Sequence, residues 1–155
     1  MVYTLGGRMG CGTMLTIEFT EDVGAPLRTV WTVVADVLRQ CDFVAYEIAE
    51  ARQTNACDMG PDFKWHETGV LLGRRYDCDC VVFGWEPPQW FCFGTKDLFH
   101  VSYELEAVPS GTRIFYRCEL PQTSESRRDA FTDLCRQSVR NLKRKLEPAV
   151  ARPGF

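Results

Sequence analysis

Between Lys64 and Leu120 the chain reads as four or five consecutive β-strands, and one amphipathic helix follows from about Glu125 to Leu146. That order constrains the fold more than any other feature. Strands joined by short turns make an antiparallel meander, and the lone helix after them has to bury its apolar stripe against one sheet face. A curved sheet and a single helix rarely fill all the space between them, so a cavity is expected there.

The strand pattern is period-two alternation. Leu15, Ile17 and Phe19 oppose Thr16, Glu18 and Thr20. Gly24-Ala25-Pro26 ends that strand, and Pro26 suits the opening turn of a helix, where its missing N–H costs nothing. Leu27, Val30, Trp31, Val34, Val37 and Leu38 recur at helical spacing, and Cys41 to Phe43 allow a second short helix or a turn. Residues 44–53 read as a strand and 54–62 as a loop. Strands at 64–72, 74–85, 89–95, 98–108 and 113–120 follow, separated by Glu86-Pro87-Pro88 and Pro109-Ser110-Gly111-Thr112 among other turns. Phe131, Leu134, Cys135, Val139, Leu142 and Leu146 form the apolar stripe of the last helix, with Ser126 and Asp129 as a capping signal at its start. Arg136, Arg140, Lys143 and Arg144 lie on its far side, which reads either as a solvated face or as a contact for an acidic partner.

The chain has 155 residues, enough for one domain with a real core, and residues 14–147 are expected to form it between tails at 1–13 and 148–155. Met9 and Met14 are both plausible alternative starts. A net charge of −3 gives no reason to expect nucleic acid, and no apolar run reaches membrane-spanning length. Eight cysteines invite a disulfide or zinc reading. The only close pair is Cys78 and Cys80, His66 and His100 are far apart in sequence, and no export signal is visible, so reduced cysteines, no metal or other cofactor, and a cytoplasmic location are expected.

Three segments carry a family likeness: "VGAPLRTVWTVVADV" (23–37), "VVFGWEPPQWFCF" (81–93) and "YELEAVPSGTRIFYRCEL" (103–120). With the element order, they make the chain resemble the SRPBCC superfamily, the START, polyketide-cyclase and lipid-transport group with the helix-grip fold, over about residues 14–147. The resemblance implies an α+β protein: a curved antiparallel sheet of about six or seven strands wrapped around a long C-terminal helix, with one or two short helices after the first strand. One departure is "MGPDFKWHE", where Phe63 and Trp65 stand in place of a glycine-rich approach and imply a bulkier entrance. The iron ligands of the ring-hydroxylase members have no counterpart.

In such a fold the inward side chains should include Tyr76, Cys78, Cys80, Phe91, Phe93, Phe99, Val101, Tyr103, Tyr116 and Cys118, an apolar and aromatic set typical of a small-molecule site. Strand 64–72 has two registers. With Trp65 inward, Glu67 points in as well and is the candidate acid or base; in the other register His66 and Thr68 point in. His100 and the pair Asp77 and Asp79 are expected on the outer face, with Arg74 and Arg75 as ion-pair partners for the aspartates. The functional expectation is a small hydrophobic or aromatic molecule held between sheet and helix, by a carrier or by a cyclase/dehydratase-like enzyme. The alternative is a chaperone-activator-like interaction module. Ligand identity and oligomeric state are not legible.

Overall fold

A computed structural model describes residues 14–96, 99–121 and 125–147. The tails expected at 1–13 and 148–155 lie outside the described residues. Seven strands form one antiparallel sheet: β1 (Met14–Val23), β2 (Glu47–Gln53), β3 (Lys64–Leu71), β4 (Arg74–Glu86), β5 (Trp90–Gly94), β6 (His100–Val108) and β7 (Gly111–Pro121). Their order across the sheet is β1-β7-β6-β5-β4-β3-β2, so β2 to β7 form a meander and β1 closes onto β7. Pairing shifts at Ile48/Glu50 and at Val82/Gly84 bend the ladder, as bulges do.

Between β1 and β2 lie α1 (Leu27–Val34) and a 3-10 turn, Val37–Asp42. Pro26 is the residue flanking α1 rather than its first turn. The buried face of α1 is Val30 and Val34. Trp31 packs edge-on against Trp85 and Phe91, with ring centres 5.0 and 5.5 Å away. The Thr112 hydroxyl donates to the Ala25 carbonyl at 2.7 Å, tying the β6–β7 turn to the start of α1.

The sheet's concave face is crossed by α2 (Glu125–Leu146). Ser126 therefore sits within its first turn rather than at a cap. The 22 residues of α2 do not bury evenly: Cys135, Ser138, Val139, Leu142 and Leu146 are buried, and no residue before Cys135 is. Each fully buried aliphatic side chain here contributes about 1.5–3 kcal/mol. The same half carries the polar ties. The Ala45 amide donates to Ser138 Oγ at 2.7 Å, Asn141 Nδ2 to the Phe43 carbonyl at 3.0 Å, and the Gly24 amide to Glu147 Oε2 at 2.9 Å. On the outer side of α2, Arg136 lies over the Phe19 ring and Lys143 reaches Glu21 at 3.6 Å, so part of the basic stripe is engaged within the chain.

Candidate functional site

Leu72 and Gly73 join β3 to β4 in a two-residue turn, both with positive φ (48° and 79°). That turn sets Leu71 opposite Arg74, and hence Gly69 opposite Tyr76 and Glu67 opposite Cys78. It also decides the face: Trp65 and Glu67 point to the concave side at 1% and 5% exposure, and His66 points outward. There His66 is gripped by Asp77 at 2.9 Å and Asp79 at 2.8 Å, the partners expected for Arg74 and Arg75. The hydrogen bond that the imidazole donates to Asp79 holds its pKa above the usual value. His100 is also on the convex face, but buried, with the Phe83 ring stacked on it at 4.4 Å, and burial pushes its pKa down to about 3.

Glu67 is the polar centre of the concave face. Trp65 Nε1 donates to its Oε1 at 3.0 Å and the Tyr76 hydroxyl to its Oε2 at 2.8 Å. Burial raises the carboxyl pKa, and the bonds from Trp65 and Tyr76 oppose that rise only in part. Tyr46 packs edge-on against Tyr76, with ring centres 6.1 Å apart. Burial and the nearby Glu67 carboxyl push the hydroxyls of Tyr46 and Tyr76 well above the ordinary range.

These groups face a cavity of about 270 Å³ between the sheet and the first half of α2. The sheet contributes Glu67, Leu71, Tyr76, Cys78, Phe93, Val101, Tyr103, Tyr116, Cys118 and Leu120. Phe131, Leu134, Cys135 and Ser138 of α2 close it from above, and Gln40, Val44, Tyr46 and Phe99 come from the connections. Phe131 and Leu134 overhang this volume and are half-exposed, and Phe131 also packs against the edge of the core. On the far wall the Tyr116 hydroxyl donates to Cys135 Sγ at 3.3 Å. A hydrogen bond with Cys135 drives the Cys118 thiol pKa well up and the Cys135 pKa down.

The chain matches no protein-family model and no curated protein in sequence. In three dimensions it is similar to the di-domain ARO/CYC BexL from the BE-7585A biosynthetic pathway, with a TM-score of 0.69 at 12% identity over 88% of this chain and 51% of BexL. The di-domain ARO/CYC StfQ from the steffimycin biosynthetic pathway gives 0.69 at 9% identity, over 86% of this chain and 50% of StfQ. A protein from Thermus thermophilus gives 0.69 at 11% identity, over 85% of this chain and 97% of that one. The fold is helix-grip. The chain spans about half the length of the two di-domain proteins.

Within this helix-grip frame the sequence-chosen residues separate. Glu67, Tyr76, Cys78, Phe93, Phe99, Val101, Tyr103, Tyr116 and Cys118 come together around the cavity. Trp65, Cys80 and Phe91 face the same side without lining it. Trp65 donates its N–H to Glu67 and packs its ring against Phe63 and Phe93; Cys80 is buried, its sulfur 3.7 Å from that of Cys78; Phe91 is covered by Trp31 and stacks on Phe93 and Tyr103. Tyr46, Gln40 and Ser138 were not expected: β2 starts at Glu47 rather than at residue 44, which leaves Tyr46 in the connection before it, and Gln40 lies in the 3-10 turn after α1. Ser138 had a visible signal, standing four residues after Leu134 on the apolar stripe. Among the described residues every cysteine is a free thiol, no cluster of three or more His, Cys, Asp or Glu side chains is placed to hold a metal ion, and no helix is long and apolar enough to cross a membrane.

Proposed function

We propose that this protein binds a small, largely apolar, ring-bearing molecule between its sheet and α2. The observation that carries the reading is the cavity itself: about 270 Å³, walled by aromatic and aliphatic groups, with one buried polar corner at Glu67 and Tyr76. Cavities of roughly 150 Å³ with apolar walls take up benzene, so this volume suits two fused rings or one ring with a short chain. Rings from Tyr46, Tyr76, Phe93, Tyr103 and Tyr116 supply flat apolar surface, and Glu67 with Tyr76 gives a polar substituent one preferred direction. The likeness to BexL and StfQ, both described as ARO/CYC, supports a ring-bearing ligand. Native mass spectrometry of the freshly purified protein, followed by titration with bicyclic aromatics, tests it. A stoichiometric adduct or saturable binding is expected; no uptake of any such compound would reject the reading.

A second reading follows from the raised Glu67 pKa beside the Tyr76 hydroxyl. A cyclase/dehydratase-like enzyme would use the Glu67 carboxylate to take a proton from the carbon next to a substrate carbonyl. The same carboxyl would return it to a departing hydroxyl as water, leaving a carbon–carbon double bond. The cavity walls would supply the orientation. Conversion lost in Glu67→Gln with binding retained separates this enzyme from a carrier.

A further inference from the structure

Glu67 is a buried carboxyl whose hydrogen-bond partners are both neutral. Trp65 Nε1 and the Tyr76 hydroxyl donate to its two oxygens, an arrangement that suits the ionised, acceptor-only form. Among the described residues, however, no lysine or arginine lines the cavity. The carboxylate thus faces the guest volume without a counter-charge. A buried charge is tolerated when a cation stands against it and is costly when none does.

We propose that the guest is a hydrophobic amine, its protonated nitrogen pairing with Glu67 and its rings lying in the aromatic part of the cavity. This inference rests on the binding reading above and adds the charge of the ligand to it. The surroundings agree with a cation. Tyr46, Tyr76, Tyr103 and Phe93 share the cavity wall, and the faces of such rings attract an ammonium group. An acidic guest meets the opposite: its carboxylate would confront the buried Glu67, with no cationic side chain among the described lining residues to receive it. Fatty acids and aryl acids are therefore rejected by repulsion as much as by lack of attraction. Asp77 also borders the cavity, but its carboxylate points to the other face, where His66 holds it at 2.9 Å.

The test compares three matched probes, 2-naphthylmethylamine, 2-naphthylmethanol and 2-naphthoate, titrated calorimetrically near neutral pH. The wild-type protein is expected to bind the amine about ten-fold more tightly than the alcohol, with the acid weakest, as one charge-assisted pair would give. Glu67→Gln should bring amine and alcohol to within about two-fold of each other. Leu71→Lys, at a half-exposed wall position, should move the acid ahead of the amine. This second variant leaves the Glu67 hydrogen bonds alone and keeps the test decisive if Glu67→Gln does not fold. An alcohol or acid that binds the wild type as well as the amine overturns the proposal while leaving the binding reading intact. An amine preference that survives Glu67→Gln, or a ranking unmoved by Leu71→Lys, also overturns it. Failure of all three probes on wild type rejects the cavity as a binding site and this inference with it.

Discussion

Gly69 lies beneath the ring of Tyr76, its partner across β3 and β4, so that a Cβ on Gly69 would come within 2.8 Å of the phenol oxygen and would strike the Glu47 carbonyl. The missing side chain is what lets the Tyr76 ring lean along the sheet and reach Glu67. Gly69→Ala should displace that ring and disturb the β2–β3 ladder, costing about 1–3 kcal/mol as overpacking does. Tyr76→Phe keeps the ring and loses only the hydroxyl, so its cost should be about 0.5–1.5 kcal/mol. Urea denaturation midpoints of the two variants check the order.

The Glu67 carboxyl gives a titration that can be followed directly. Tyr76→Phe removes one of the bonds that favour its ionised form, so the already raised pKa should rise further, as read from the carboxyl carbon shift by NMR. The linkage to stability has a definite sign. A carboxyl whose folded pKa lies above its unfolded one stabilises most below the ordinary value of 4.5, and that contribution fades as pH climbs through the raised value. Glu67→Gln should abolish this part of the pH dependence.

His100 acts in the reverse direction. Its pKa falls from 6.5 to about 3 on burial, so its contribution is present above 6.5 and is lost as the pH drops toward 3. His100→Phe, which can keep the stacking on Phe83, should therefore narrow the stability gap between neutral and mildly acidic solution. Equilibrium unfolding of wild type and variant at both pH values is the measurement. His66, raised by Asp79 and Asp77, has the opposite slope but is solvated, and its influence should shrink with added salt.

Filling the cavity separates binding from stability. Leu134→Trp places an indole at the half-exposed roof, and guest uptake should fall sharply while the melting temperature holds or rises. Leu142→Ala, at a fully buried position outside the cavity wall, should do the converse, costing about 2–5 kcal/mol with binding retained. Thermal melts and probe titrations on both variants distinguish the two behaviours.

The element order and the extent of α2 were readable because both rest on unbroken periodicity, down to the stripe that ends at Leu146. The register of β3 was not. It hangs on Leu72, a bulky residue at positive φ, which nothing in local preference foretells. Alternation pointed Cys80 and Phe91 inward and left Trp65 open between two registers, and it said nothing of what covers any of them. Phe91 is hidden by Trp31, a contact between residues sixty positions apart. Tyr46 and Gln40 reach the cavity from the connection between α1 and β2, where side-chain direction follows from tertiary packing rather than from any repeat.

The ties of α2 to Phe43, Ala45 and Gly24 leave from Ser138, Asn141 and Glu147. Its opening turns carry no buried side chain. The helix is thus fastened like a lever at its rear, and a displacement of its front would break none of those three bonds, at the expense of the Tyr116–Cys135 contact. Guest exchange by that route is expected to run at a rate insensitive to substitutions that alter how firmly the whole protein holds together.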